Sequence, residues 1–268
     1  MTDLTFTTLD TGSTTLEKTI TLVTGETEAV LVDAGFTRAD GHRAVAAVLD
    51  SGKRLTTVFI STGDPDFYFG AEVIADAFPD ARIVAPADVI DHIAHSYEKK
   101  LGAWAHLGAN LPTRLVDIEE FTGDSISIDD QTLQLFNAGV HQHDRGWYLF
   151  DPTTRTILGG VLVFAGTHVW TADTPTVESR AAWLTALDKL EALNPARVIA
   201  GHRLPDFADD VAALRHTRDY LRKFETIIAD SATGADAEQA LLAAYPGAGL
   251  PVAAHLGALV AKGEMTWG

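Results

Sequence analysis

The chain contains no cysteine. Disulfides, thiolate metal sites and a Cys nucleophile are therefore excluded, and any metal ion must be held by imidazole and carboxylate. Cations are also scarce: 20 Lys and Arg stand against 37 Asp and Glu, a formal net charge of −17. Such a surface repels nucleic-acid phosphates and anionic lipid, so no nucleic acid and no membrane is expected as a partner. No apolar run approaches the length of a membrane span, and residues 1–10 hold neither a basic nor an apolar leader segment. A cytoplasmic protein with a small-molecule substrate is the expectation. There is no Gly-x-Ser-x-Gly elbow and no Gly-x-x-x-x-Gly-Lys loop, so serine-hydrolase and P-loop chemistry have no foothold.

What is present is an α/β pattern over 268 residues, with no low-complexity linker. A single domain over 1–268 is expected, with a helical extension from about 206. Residues 19–23 and 28–33 read as a hairpin across the turn 24–27. Residues 43–49 have helical spacing, and 56–60 form a β-rich run. Residues 71–78 read as a helix, 82–85 as a strand, and Pro86 opens a long helix from 87 to about 107. Short strands fill 114–136, of which 131–136 alternates strictly. A hairpin pairs 147–150 with 156–158. A helix over 179–193 has Trp183, Leu184, Leu187 and Leu190 on one face. Residues 197–200 read as a strand. Tail helices follow, with a break at Gly234, a helix over 238–244 and another over 252–262.

The stretch 58–70, Val-Phe-Ile-Ser-Thr-Gly-Asp-Pro-Asp-Phe-Tyr-Phe-Gly, is a strand that stops in a polar turn and feeds a helix. In α/β proteins that edge is where ligands bind. The stretch resembles the metal-binding loop of the metallo-β-lactamase-fold hydrolases, Thr-His-x-His-x-Asp-His followed by Gly. Ser61 takes the Thr position, Thr62 the first His, Asp64 the second His, Asp66 the Asp and Phe67 the last His. Asp33-Ala34-Gly35 matches the family's strand-ending Asp-x-Gly, read here as a structural turn. His141 matches a later His, with Val140 where a Gly is expected. Gly160 stands where a bridging Asp is expected, and Gly201-His202 matches the closing Gly-His. The stretch from Gly166 to His202, with His168-x-Trp170-x-x-Asp173, and the closing 261–267 resemble one subgroup, so the likeness covers nearly the whole chain.

The resemblance implies a four-layer αββα sandwich with a C-terminal helical extension. It implies a hydrolase of a small ester, thioester, lactone or related acyl compound. The full family site is a binuclear zinc centre, which zinc equips to activate water near neutral pH. Thr62, Phe67 and Gly160 remove three of its ligands, so that standard centre is not expected. Asp64, Asp66, His141 and His202 remain as a metal set for one divalent ion, Zn, Mn or Fe, or for none. Asp64, Asp66, His141, His143 and Tyr68 are the catalytic candidates. The alternative is a metal-free member repurposed for small-molecule binding, or for non-hydrolytic acid–base catalysis such as cyclisation or isomerisation. His92 and His95, one turn apart on the long helix, read as surface or packing residues. A homo-oligomer stays open.

Overall fold

The computed structural model describes residues 3–140 and 143–267. Three antiparallel strands come first: β1 (Thr5–Asp10), β2 (Thr19–Thr24) and β3 (Glu28–Val32). Helix and strand then alternate through α1 (Arg38–Ser51), β4 (Arg54–Phe59), α2 (Pro65–Tyr68), α3 (Ala71–Ala77), β5 (Arg82–Ala85), α4 (Ala87–Ala103) and β6 (Glu119–Glu120). From β3 to β6 the pairing is parallel, which completes a six-stranded sheet in the order β1-β2-β3-β4-β5-β6.

The next strands are β7 (Ser125–Ile128), β8 (Gln131–Asn137), β9 (Trp147–Asp151), β10 (Thr156–Leu158) and β11 (Phe164–Ala165). After α5 (Val177–Ala192) come β12 (Arg197–Val198) and β13 (His202–Arg203). The second sheet runs β12-β10-β9-β8-β7, and β11 pairs in parallel with β13. The tail is α6 (Ala212–Asp230), α7 (Gly234–Ala244) and α8 (Pro251–Ala261).

Alternation along the strands sorts their side chains into two cores. In β3, Val30 and Val32 share an inner core with Leu133, Leu149 and Leu158 of the second sheet. Ala29 and Leu31 point the other way, into the core that also holds Ala44 and Val48 of α1 and Ile74 of α3. Each fully buried Val or Leu stabilises the fold by roughly 1.5–3 kcal/mol. The result is the four-layer αββα sandwich with a helical C-terminal segment.

Several element boundaries differ from the sequence expectation, each for a local reason. Residues 5–10, to which the sequence reading assigns no element, form β1, because every backbone step pairs with β2. Helix α1 starts earlier than residue 43, because the Thr37 side chain accepts from the Asp40 N–H in a capping box. The helix from Pro86 ends at Ala103, and Gly108, at φ 56°, breaks the 3₁₀ turn that follows. The break expected at Gly234 falls at residues 231–233, and α7 starts at Gly234, earlier than residue 238, because the Thr233 side chain accepts from the Asp236 N–H. The strand expected over 197–200 stops at Val198; Ile199 N–H still donates to Ile157, and Gly201 N–H crosses to Val163.

Candidate functional site

The loop after β4 is fixed from beneath. Asp33, at φ 64°, ends β3 with one carboxylate oxygen accepting from the Ser61 N–H at 3.0 Å and the Ser61 hydroxyl at 2.6 Å. Ser61 Oγ in turn accepts from the Gly160 N–H at 2.8 Å. The other Asp33 oxygen accepts from Lys18 Nζ at 3.0 Å, and Lys18 also donates to the Thr19 carbonyl at 2.6 Å. Lys18 is fully buried, and its ammonium lies 3.9 Å from the centroid of the Phe67 ring. The turn at Asp33 is therefore structural, as the sequence suggests, but it also carries a buried ion pair. Gly70 closes the loop against β3: a Cβ there would lie 2.1 Å from the Ala34 carbonyl oxygen.

Asp64 and Asp66 flank Pro65 at the start of α2 and face different partners. Asp64 forms an ion pair with Arg145, and the Lys100 ammonium is 3.8 Å from its second oxygen. Arg145 reaches with its other terminal nitrogen to Asp173 at 3.1 Å. Asp173 also accepts from the Trp267 indole N–H at 3.0 Å, and Trp267 packs edge-on against Trp170. Behind Lys100 runs a polar chain. Lys100 Nζ donates to the Gly63 carbonyl at 2.6 Å and meets His92 Nε2 at 3.0 Å. His92 Nδ1 is 2.5 Å from an Asp144 oxygen.

Asp66 faces His202 instead, with 3.3 Å between its Oδ2 and the imidazole Nε2. The Nδ1 of His202 lies 2.9 Å from the Leu16 carbonyl, which assigns the ring proton to Nδ1 and leaves Nε2 as an acceptor. The imidazole stacks on Phe164 and meets Phe67 edge-on. No hydrogen bond from the described residues reaches Asp66 Oδ2, the Thr62 hydroxyl or the Tyr68 hydroxyl, all of them buried.

These surroundings separate the titrations. Burial, then the neighbouring Asp64 charge, pushes the Asp66 carboxyl up to about 7 against the pull of Lys18. Burial also raises Asp64, but the charges of Arg145, Lys100 and His92 outweigh it and hold that carboxyl below its ordinary value. Burial and the Lys18 charge bring His202 down to about 3, so it is a neutral base at physiological pH. Burial lowers Lys100 against the opposing charge of Asp64, raises Asp173 against that of Arg145, and raises the Tyr68 phenol.

The described residues do not by themselves assemble a metal site. Among the described residues, no group of three or more His, Asp or Glu side chains is arranged to hold one. Asp64 is committed to Arg145, and Asp66 and His202 supply only two donors.

Of the residues expected from sequence, the structure brings Asp64, Asp66, His202 and Tyr68 into one neighbourhood. His141 lies outside the described residues. His143 opens a short 3₁₀ turn to Arg145, and its side chain lies outside the description. His95 is exposed and turns back to the Asp91 carbonyl of its own helix, as a surface residue would. His92 does not behave as a surface residue: with Lys100 it presents one helix face toward Asp64. His168 is buried, with its ring against Tyr220 and Tyr245. Sequence reasoning missed Lys18 and Lys100. The spacing of His92 and Lys100, two turns apart on one helix, was the available signal for that pair; Lys18 had none.

The metallo-beta-lactamase superfamily model matches residues 14–202. No curated protein matches the sequence. Among solved structures, the chain is similar to a metallo-beta-lactamase family protein, TTHA1429, from Thermus thermophilus. That match has a TM-score of 0.65 at 16% identity and covers 97% of this chain and 93% of that one. It is also similar to a metallo-beta-lactamase from Pontibacter korlensis, with a TM-score of 0.54 at 15% identity, covering 82% of this chain and 94% of that one. At these identities the structures speak for the fold alone. The family model spans well over half of the sequence, and on that match the chain belongs to the metallo-beta-lactamase superfamily.

Proposed function

We propose that this protein is a hydrolase of a small ester, thioester or lactone that uses Asp66 and His202 as its proton-transfer pair and draws on no metal ion. The observation that carries this reading is the buried Asp66–His202 contact at 3.3 Å, with the imidazole fixed in the Nδ1–H tautomer by Leu16. Superfamily membership supports hydrolase-type chemistry in general.

Acyl hydrolysis needs a base for water and positive charge for the developing oxyanion. Asp66 is a suitable base, because burial and Asp64 bring its carboxyl to about 7 and so near working pH. Water loses a proton to Asp66 as its oxygen bonds to the acyl carbon. The acyl–oxygen or acyl–sulfur bond then breaks, and the leaving atom receives that proton back. His202 Nε2 has a free lone pair and shares the proton with Asp66 while it is held. Arg145 and Lys100 supply positive charge on the Asp64 side. The reading predicts that Asp66→Asn and His202→Gln each lower kcat about 10²–10⁴-fold. The test is a panel of p-nitrophenyl esters, acyl thioesters and lactones, run on chelator-treated protein. Inactivity across the panel, or activity indifferent to both substitutions, would refute it.

A second reading is acid–base catalysis without hydrolysis, such as isomerisation. The burial of both Asp66 and His202 favours it, since little water reaches either group. A substrate that exchanges a carbon-bound proton for solvent deuterium without bond cleavage would distinguish it.

A further inference from the structure

Glu17 is a buried carboxyl that the Asp66–His202 pair does not use. Its Oε2 accepts no hydrogen bond from the described residues. Burial pushes this carboxyl above its ordinary value, and the Leu250 backbone N–H opposes that shift. Leu250 is the N-cap of α8, at φ 58°, and no side chain of its own caps that helix. A carboxylate from elsewhere suits such an end, where unpaired N–H groups and the helix dipole favour negative charge. Gly249 brings the same loop against Glu17: a Cβ there would lie 3.0 Å from Oε1. On its other side this loop is tied to the strand region at 166–168. The Gly249 N–H donates to the Gly166 carbonyl at 3.0 Å, and the His168 N–H to the Gly249 carbonyl at 2.8 Å.

The backbone of the same residue meets the site. Leu16 and Glu17 are consecutive left-handed residues, at φ 66° and 49°, and neither is glycine. Such a backbone persists only where its surroundings over-determine it. Here it turns the Leu16 carbonyl onto His202 Nδ1 at 2.9 Å and the Glu17 carbonyl onto the Arg203 N–H at 2.9 Å. Lys18 then faces His202 in an antiparallel bridge. The acceptor at one ring nitrogen decides which nitrogen carries the proton. We propose that Glu17 is a positioning residue for His202: with the tail docked on its carboxylate, it holds the Leu16 carbonyl against Nδ1 and so keeps Nε2 as the acceptor that faces Asp66. The docking of α8 is thereby coupled to the state of the imidazole. The inference rests on the Asp66–His202 pair of the proposed function and adds the device that sets its tautomer.

The experiment reads the tautomer directly, by ¹⁵N NMR of the full-length protein labelled at histidine, at about pH 8 where an ordinary imidazole is neutral. His202 is assigned by the signal that His202→Gln removes. Native protein is expected to show a single species, protonated at Nδ1. Glu17→Ala should lose that single species to a mixture in which the Nε2–H form is about a tenth or more. Glu17→Gln, which can still accept from the Leu250 N–H, should keep it. Gly249→Ala, which pushes the tail loop off the carboxylate, should give the same mixture from the other side. Glu17→Asp, shorter by a methylene, takes the place of the alanine form if that does not fold. A merely structural role would lower Tm and leave the His202 signal unmoved. Folded Glu17 and Gly249 variants with the native tautomer would therefore overturn the proposal. So would native His202 protonated at Nε2, or a Glu17→Gln disturbed as much as Glu17→Ala. No substrate enters this readout, so its failure is separable from failure of the hydrolase reading, which the substrate panel decides.

Discussion

Lys18→Met is the most informative stability test of this structure. The substitution keeps most of the buried aliphatic stem and removes only the ammonium. Two hydrogen bonds go with it, one to Asp33 and one to the Thr19 carbonyl. What remains is the Asp33 carboxylate, 1% exposed, with no counter-ion beside it. Removing one partner of a buried ion pair costs about 3–5 kcal/mol. Both Ser61 hydrogen bonds to Asp33 survive, which places the expected loss near the lower end, about 3 kcal/mol. For a chain of this size that corresponds to a fall in Tm of roughly 6–12 °C. The double substitution Lys18→Met/Asp33→Asn should recover most of it, to within about 1 kcal/mol of native, because a buried pair replaced on both sides is close to neutral. Asn also tolerates the left-handed backbone at position 33 and can still accept from Ser61. Urea denaturation of the four proteins in this cycle gives the coupling energy directly. A Lys18→Met loss below about 1 kcal/mol, or a double variant no more stable than the single one, would refute the reasoning.

Two further predictions follow from the site. Gly160→Asp, which would restore the carboxylate expected from the resemblance, should destabilise by at least about 1–3 kcal/mol, measured as a lower Tm. Gly160 lies at φ +74° and a Cβ would sit 2.1 Å from the Trp147 carbonyl oxygen. The second prediction concerns pH. Folded Asp66 keeps its proton up to about 7, whereas the unfolded chain releases it above roughly 4. The stability this gives is present at low pH and is lost as pH rises through 7. Folded His202 stays neutral down to about 3, whereas the unfolded chain protonates below roughly 6.5. The stability this gives is present above 6.5 and is lost as pH falls toward 3. Between about pH 4 and 6.5 the two slopes oppose, each about 1.4 kcal/mol per pH unit. His202→Gln should therefore tilt the stability profile downward with rising pH in that window, and Asp66→Asn should tilt it upward. Parallel profiles for native and both variants, in chemical denaturation across that range, would refute the assignment.

The elements were legible in the sequence wherever one face is buried and the other is not. The alternation of β8 and the apolar stripe of α5 are recovered because packing and pattern agree there. The acidic half of the site was legible too, because Asp64, Asp66 and His202 sit at strand ends that the family loop marks. The basic half was not. Lys18 precedes β2, Lys100 lies two turns along α4 from His92, and Arg145 follows a short turn before β9. Nothing local in the sequence says that these three charges converge. Only the closing of the two sheets and the packing of α4 bring them to the same carboxylates. A residue that titrates or pairs across that distance is specified by the topology and leaves no periodic trace.

The Trp267 hydrogen bond to Asp173 has a consequence for how the site comes into being. The carboxylates and their counter-charges are drawn from residue 18 through residue 173, and the indole that anchors one of them arrives from residue 267. No contiguous fragment shorter than this span holds the whole arrangement. The Arg145 bridge and the Asp66–His202 contact use residues no later than 202, and the docking of residue 267 adds one further contact, to Asp173. Trp267 is also fluorescent, so its docking onto Asp173 and Trp170 supplies an intrinsic optical signal for that last step.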